Sequence, residues 1–143
     1  MPAKPNVEVI DEEVTFEEEG LEAKALITKT DLRGIITYAS KAYRQMTKYS
    51  KEELIGKPHS IVRHPDMPAA VFKQMWDTIK KDKVWEVYIK NLRKDGKYYW
   101  VLVRVEPIYD EYGDKIGYVG LRREPDRDII KDIEEVYKSN FDE

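Results

Sequence analysis

Four side chains crowd a short, proline-studded stretch of this chain: His59, Arg63, His64 and Asp66, inside residues 57–68. That stretch carries three prolines and both histidines of the protein. Prolines at this density cannot continue a helix or a central strand, so the segment is a stiff connector. Arg63 brings a permanently charged fork that matches a phosphate or carboxylate with two parallel hydrogen bonds. A helix follows directly, with Asp66 as a candidate N-cap and Pro68 in the first turn, and such a helix start favours anions. A pairing of Arg63 with Asp66 on the surface is the structural alternative.

The two histidines admit three chemistries. As metal ligands with Asp66 they form a weak set, five residues apart and without a cysteine, so no metal site is assigned. As a haem ligand one imidazole would suffice. As loop organisers or hydrogen-bonding partners of a cofactor they need no metal, and this third role is preferred.

The elements that must position these groups are legible in the apolar periodicities. Strands are predicted at residues 25–30 and 35–39 around a turn at Gly34, and Ser40 caps a short helix over 41–47. Ser50 and Glu53 form a capping box that opens a second short helix, closed by Gly56. A longer helix is expected over about 67–81, with Val71, Phe72, Met75, Trp76 and Ile79 as its apolar stripe. Three strands follow, over 84–92, 98–108 and 116–123, joined by hairpin turns at Asp95-Gly96 and Gly113. In the first of them Trp85, Val87, Ile89 and Asn91 share a phase, which turns the Asn91 amide inward, where it needs partners. A last helix runs from about 126 to 138. Helices inserted between the second and third strands of an antiparallel sheet make an α+β layer, with a pocket between sheet and helices as the default ligand site. Residues 1–22 read as an acidic N-terminal cap or arm, 23–124 as the folded domain and 125–143 as a C-terminal helix and tail.

Composition narrows the function classes. The chain has 143 residues, a net charge of -3 and no cysteine. There is no basic footprint for nucleic acid, no disulfide and no thiol nucleophile. No apolar run reaches membrane-spanning length and no signal peptide is visible, so the expected location is the cytoplasm, without direct membrane insertion. Neither a nucleophile elbow nor a phosphate-cradling glycine loop is present, and no enzyme activity is expected.

The element order resembles a PAS fold, a five-stranded antiparallel sheet with short helices packed on one face and a C-terminal helix. The motif Gly56-Lys57-Pro58-His59-Ser60-Ile61-Val62-Arg63-His64-Pro65-Asp66-Met67-Pro68 is more specific. With Met75-Trp76, Trp85, Lys90-Asn91, the turn at Arg93-Lys94-Asp95-Gly96 and Tyr99-Trp100, it resembles PAS domains of the aerotaxis-receptor type. The resemblance implies a redox or energy sensor that binds FAD non-covalently. It places cofactor contacts at His59, Arg63, His64, Asp66, Phe72, Trp85 and Asn91, and at Ser40, where the family commonly has asparagine. A serine offers one hydroxyl in place of an amide that donates and accepts at once. The implied partner is a methyl-accepting chemotaxis receptor or similar signalling protein, reached in trans if the chain is complete, with a homodimer as a further expectation. A haem-binding PAS sensor and a ligand-free docking or dimerisation module are the alternatives on the same fold.

Overall fold

The computed structural model describes residues 7–141. Five strands form one antiparallel sheet: β1 (Leu26–Thr30), β2 (Ile36–Ala39), β3 (Trp85–Leu92), β4 (Tyr98–Tyr109) and β5 (Lys115–Arg123), in the order β2-β1-β5-β4-β3. The register pairs Ile89 with Val101, Val87 with Val103 and Trp85 with Val105. Because side chains alternate along a strand, this register collects Trp85, Ile89, Tyr99, Val101, Val103 and Val105, all buried, on one face. From β1 and β5 the same face receives Leu26, Thr28, Tyr118, Gly120 and Arg122.

The helices between β2 and β3 cover that inner face. α2 (Lys41–Thr47) starts at Ser40, whose Oγ accepts the Tyr43 amide. α3 (Lys51–Leu54) opens on the reciprocal Ser50–Glu53 capping box and ends at Ile55, one residue ahead of Gly56, which turns the chain at φ 86°. A 3-10 turn (His59–Val62) and α4 (Ala69–Ile79) complete the layer. Fully buried Leu26, Ile36, Leu54 and Ile79 anchor it, each worth about 1.5–3 kcal/mol by removal from water.

The outer face of β3 and β4 is covered by the C-terminal helix, α5 (Arg127–Phe141). Tyr137 stacks on Trp100, and its hydroxyl donates to the carbonyl of Tyr88. Of the sequence-defined arm, residues 1–6 lie outside the described residues, as do 142–143 of the tail. The rest runs beside the start of β4, where the Ile10 amide donates to Gly96 O and the Val14 amide to Tyr98 O. It then forms α1 (Phe16–Glu19), which buries Phe16, opens on a Thr15–Glu18 capping box and is closed by Gly20. Glu19 reaches Arg93, whose buried guanidinium also grips Asp95, each at 2.7 Å.

An open sheet exposes two edges, which invite pairing with other chains. Here a single segment covers part of both. At β2, the Ile36 amide donates to Lys57 O, the Gly56 amide to Ile36 O and the His59 amide to Gly34 O. At β3, Arg63 and Asn91 form an antiparallel bridge. The proline-rich segment is therefore a strap running from one sheet edge to the other across the inner face.

Candidate functional site

Beneath the strap and α4 lies a cavity of about 320 Å³, within the range that holds small organic ligands. Its floor is the inner sheet face, including Ile89, Val101 and Val103; Trp85, Phe72 and Trp76 add aromatic wall. Polar groups reach it at a few points: Thr28, His59, Arg63, Asn91 and Arg122.

Arg122 is the side chain around which the polar end is built. Alternation along β5 turns it inward beside Tyr118 and Gly120, and it is 5% exposed. Its guanidinium donates to Thr28 Oγ1 at 3.0 Å and to Gly120 O at 3.2 Å, and lies 2.8 Å from His59 Nε2. A guanidinium can only donate, so His59 Nε2 accepts and the ring proton sits on Nδ1. Burial, then the neighbouring Arg122 charge, hold the His59 imidazole neutral with a pKa pushed down to about 3. The Arg122 guanidinium also lies over the Tyr43 ring at 5.1 Å. Gly120 leaves the room it needs, since a Cβ there would stand 2.8 Å from its nearer nitrogen. Among the described residues Arg122 has no carboxylate partner. A buried charge in that condition is costly, and the cavity it lines is where an anionic or electron-rich group would answer it. Behind it, the buried Tyr43 hydroxyl has no hydrogen-bond partner.

Arg63 lies on the strap with its guanidinium carbon 3.8 Å from the centre of the Phe72 ring. It makes no ion pair among the described residues, so the alternative of a surface pair with Asp66 does not hold. Phe72 and Trp85 line the cavity. Asn91 is 5% exposed and gives one long hydrogen bond, Nδ2 to Tyr99 Oη at 3.4 Å.

Three of the expected contact residues are elsewhere. Ser40 is occupied twice over, its Oγ accepting the amides of Ile27 at 3.1 Å and Tyr43 at 3.2 Å. It ties β1 to α2 and does not line the cavity. Asp66 is not the N-cap of α4: Pro68 holds that position, without a side-chain bond, and the Asp66 carboxylate turns to Lys90 Nζ at 3.0 Å. His64, 2% exposed, accepts the Asp66 amide on Nδ1 at 3.0 Å and packs edge-on to Tyr98. Because Lys90 and Tyr98 belong to the outer phase of β3 and β4, the strap crosses the sheet edge between Arg63 and His64. Its first half serves the cavity and its second half the far face. A haem ligand fits neither imidazole: His59 Nε2 is engaged by Arg122 and Thr28, and His64 is outside the cavity.

Arg122, Thr28 and Tyr43 escaped the sequence reading. The available signal was a charged residue in the apolar phase of a strand, two positions after a glycine.

A family model described as "PAS fold" matches residues 36–122. The chain belongs to the PAS family. The PAS domain is 41% identical over 114 residues to the aerotaxis receptor of Escherichia coli K12, covering 80% of this chain and 22% of that protein. It is 27% identical over 103 residues to the nitrogen fixation regulatory protein of Klebsiella pneumoniae, covering 72% of this chain and 21% of that one. It thus spans about a fifth of the length of these relatives. Among solved structures, a PAS domain from Colwellia psychrerythraea superposes with a TM-score of 0.65 at 28% identity, covering 72% of this chain and 87% of that one. The light-state LOV domain of the blue-light photoreceptor Aureochrome1 superposes with a TM-score of 0.65 at 23% identity, covering 83% and 91%, which speaks to the fold. No helix among the described residues is long and apolar enough to cross a membrane.

Proposed function

We propose that this PAS domain is a redox-sensing signalling module that holds FAD non-covalently and reports to a chemotaxis receptor or similar partner, itself turning over no substrate. The observation that carries the reading is Arg122, a buried guanidinium without a carboxylate partner among the described residues, which lines an apolar, aromatic-walled cavity together with Asn91. Such a set fits a flat ring with a polar edge: Trp85, Ile89, Val101 and Val103 for its faces, Asn91 and Arg122 for its edge, and Arg63 for phosphate. The similarity to the aerotaxis receptor supports the same reading. The cavity is not filled by the protein's own side chains, which weighs against a ligand-free docking module.

When bound, FAD supplies reversible uptake of electrons, with protons exchanged at the ring nitrogens. The chain's own task is to respond. The Asn91 amide, held by one long bond, is free to turn either its oxygen or its nitrogen into the cavity, and would reorient if a facing group changed from acceptor to donor. Asn91 stands on β3, whose outer side contacts α5 through Tyr88 and Tyr137, so residues 23–124 would sense and α5 would carry the output.

The test is the absorption spectrum of the purified protein, as isolated and after incubation with FAD, before and after reduction. Flavin bands that bleach on reduction are expected. A protein that neither carries nor takes up flavin contradicts the reading, and a Soret band replaces it with haem.

A further inference from the structure

The strap is fastened unequally. Its β2 end is held by main-chain hydrogen bonds at Lys57, Gly56 and His59. Its β3 end adds side chains to the main-chain bridge between Arg63 and Asn91. The Asp66 carboxylate, 67% exposed, meets the Lys90 ammonium, which is itself only 9% exposed. Lys90 also lies 4.2 Å from the centre of the Tyr98 ring, and its main-chain amide donates to Met67 Sδ at 3.4 Å. Lysine is almost never buried unless paired, and Asp66 is the carboxylate that pairs with this one. Residue 90 points away from the cavity while Asn91, next along the strand, points into it and bridges Arg63 by its main chain. Arg63 is three residues before Asp66. A pull on Asp66 from the outer face therefore sets where Arg63 rests on the inner one.

We infer that Lys90 is a positioning residue for the ligand: from the far side of the sheet it latches Asp66, and through the strap it keeps Arg63 over the cavity. His64 completes the latch by accepting the Asp66 amide and packing on Tyr98. The inference deepens the flavin reading and rests on it for the identity of the ligand, but the latch itself is a property of the ligand-free chain. It also accounts for the motif's Asp66 and His64 without asking either to touch the cofactor.

The experiment compares the wild-type chain with Lys90→Met, Asp66→Asn, the double variant and Lys90→Arg. Two quantities are read: amide hydrogen exchange of residues 60–68 in ligand-free protein, and the Kd for FAD. Lys90→Met and Asp66→Asn are each expected to speed exchange of the 60–68 segment and to weaken FAD binding by about tenfold, with no further loss in the double variant. Exchange at Ile36 and Gly56, at the β2 end, stays as in the wild type in every folded variant. Lys90→Arg restores most of both properties. Should Lys90→Met fail to fold, Asp66→Asn, at an exposed carboxylate, carries the comparison alone. Unchanged exchange of 60–68 in the folded variants overturns the latch whether or not FAD binds. Independent effects that add in the double variant overturn it as well. A wild-type protein that takes up no FAD overturns the flavin reading instead, leaving exchange to decide the latch.

Discussion

At the scale of single residues, Arg122 states the conflict between stability and binding most plainly. Its charge is buried among a hydroxyl, a carbonyl and a neutral imidazole, and apolar replacement of such a group is often neutral or stabilising. Ligand-free Arg122→Met is therefore expected to be at least as stable to urea as the wild type. Its affinity for FAD should nevertheless fall by about 10–100-fold, the worth of a charge-assisted hydrogen bond. A buried cation favours electron uptake by a ring beside it, so residual flavin in this variant should show a midpoint potential lower by roughly 30–60 mV. Lower stability with unchanged binding would assign Arg122 to the core alone. The two histidines give a separate readout. His59, held at about 3, and His64, held at about 4 by burial and by Lys90 against the opposing pull of Asp66 and Asp11, are both neutral in the folded protein at neutral pH. Unfolded, each returns to an ordinary value near 6.5. The unfolded chain then binds more protons below that value, so stability is complete above about pH 6.5 and falls as pH drops towards 4. His64 alone contributes a fall of about 2–4 kcal/mol, measurable as urea midpoints across that interval. A flat profile there would contradict the burial assigned to both rings.

At the scale of elements, most of the chain was legible because its signals are local. The alternation Tyr99, Val101, Val103, Val105, the Asp95-Gly96 turn and the Ser50–Glu53 box each announce an element from neighbouring residues, and the strands and helices lie where they point. The strap was legible as a stiff connector but not as a segment that changes face. Aspartate two residues before a proline reads as a helix cap on local grounds, yet a buried lysine 24 positions away claims the Asp66 carboxylate. Likewise Ser40 suits both a cap and a cofactor contact on local grounds, and the cap, with a bond to β1, uses both acceptor sites of its hydroxyl. Arg122 stays hidden in the sequence because its partners, Thr28 and His59, lie 94 and 63 positions away. Gly120 offers a test at this scale. A methyl there presses on the far end of the Arg122 side chain, not on main chain. Gly120→Ala is therefore expected to weaken flavin binding several-fold, with the urea midpoint nearly unchanged. A large loss of stability would show that the strand itself cannot accept a Cβ.

At the scale of the molecule, both terminal elements are fastened to the sheet by contacts far apart in sequence. Arg127 of α5 holds Glu13 of the arm at 2.6 Å, and Arg93 binds Glu19 and Asp95 together. Breaking a buried pair leaves unpaired charge behind, so Arg93→Ala is expected to lower stability by about 3 kcal/mol and to release α1, seen as faster amide exchange over 16–20. Retention of α1 with a small change in midpoint would mean the arm is held by Phe16 and its other contacts without Arg93. Tyr137 of α5 meets β3 itself, the strand that carries Asn91, and Glu19 of the arm meets Arg93 just after it. All of this concerns what the domain does with a ligand, so ligand uptake is the most direct trial of the account. Purified wild-type protein is incubated with excess FAD, freed of unbound cofactor by gel filtration, and examined by absorption before and after reduction. Stoichiometric flavin that bleaches on reduction and returns on exposure to air is the expected result. Protein that emerges without flavin, with its fold intact by circular dichroism, would contradict the claim that the cavity under the strap is a flavin site.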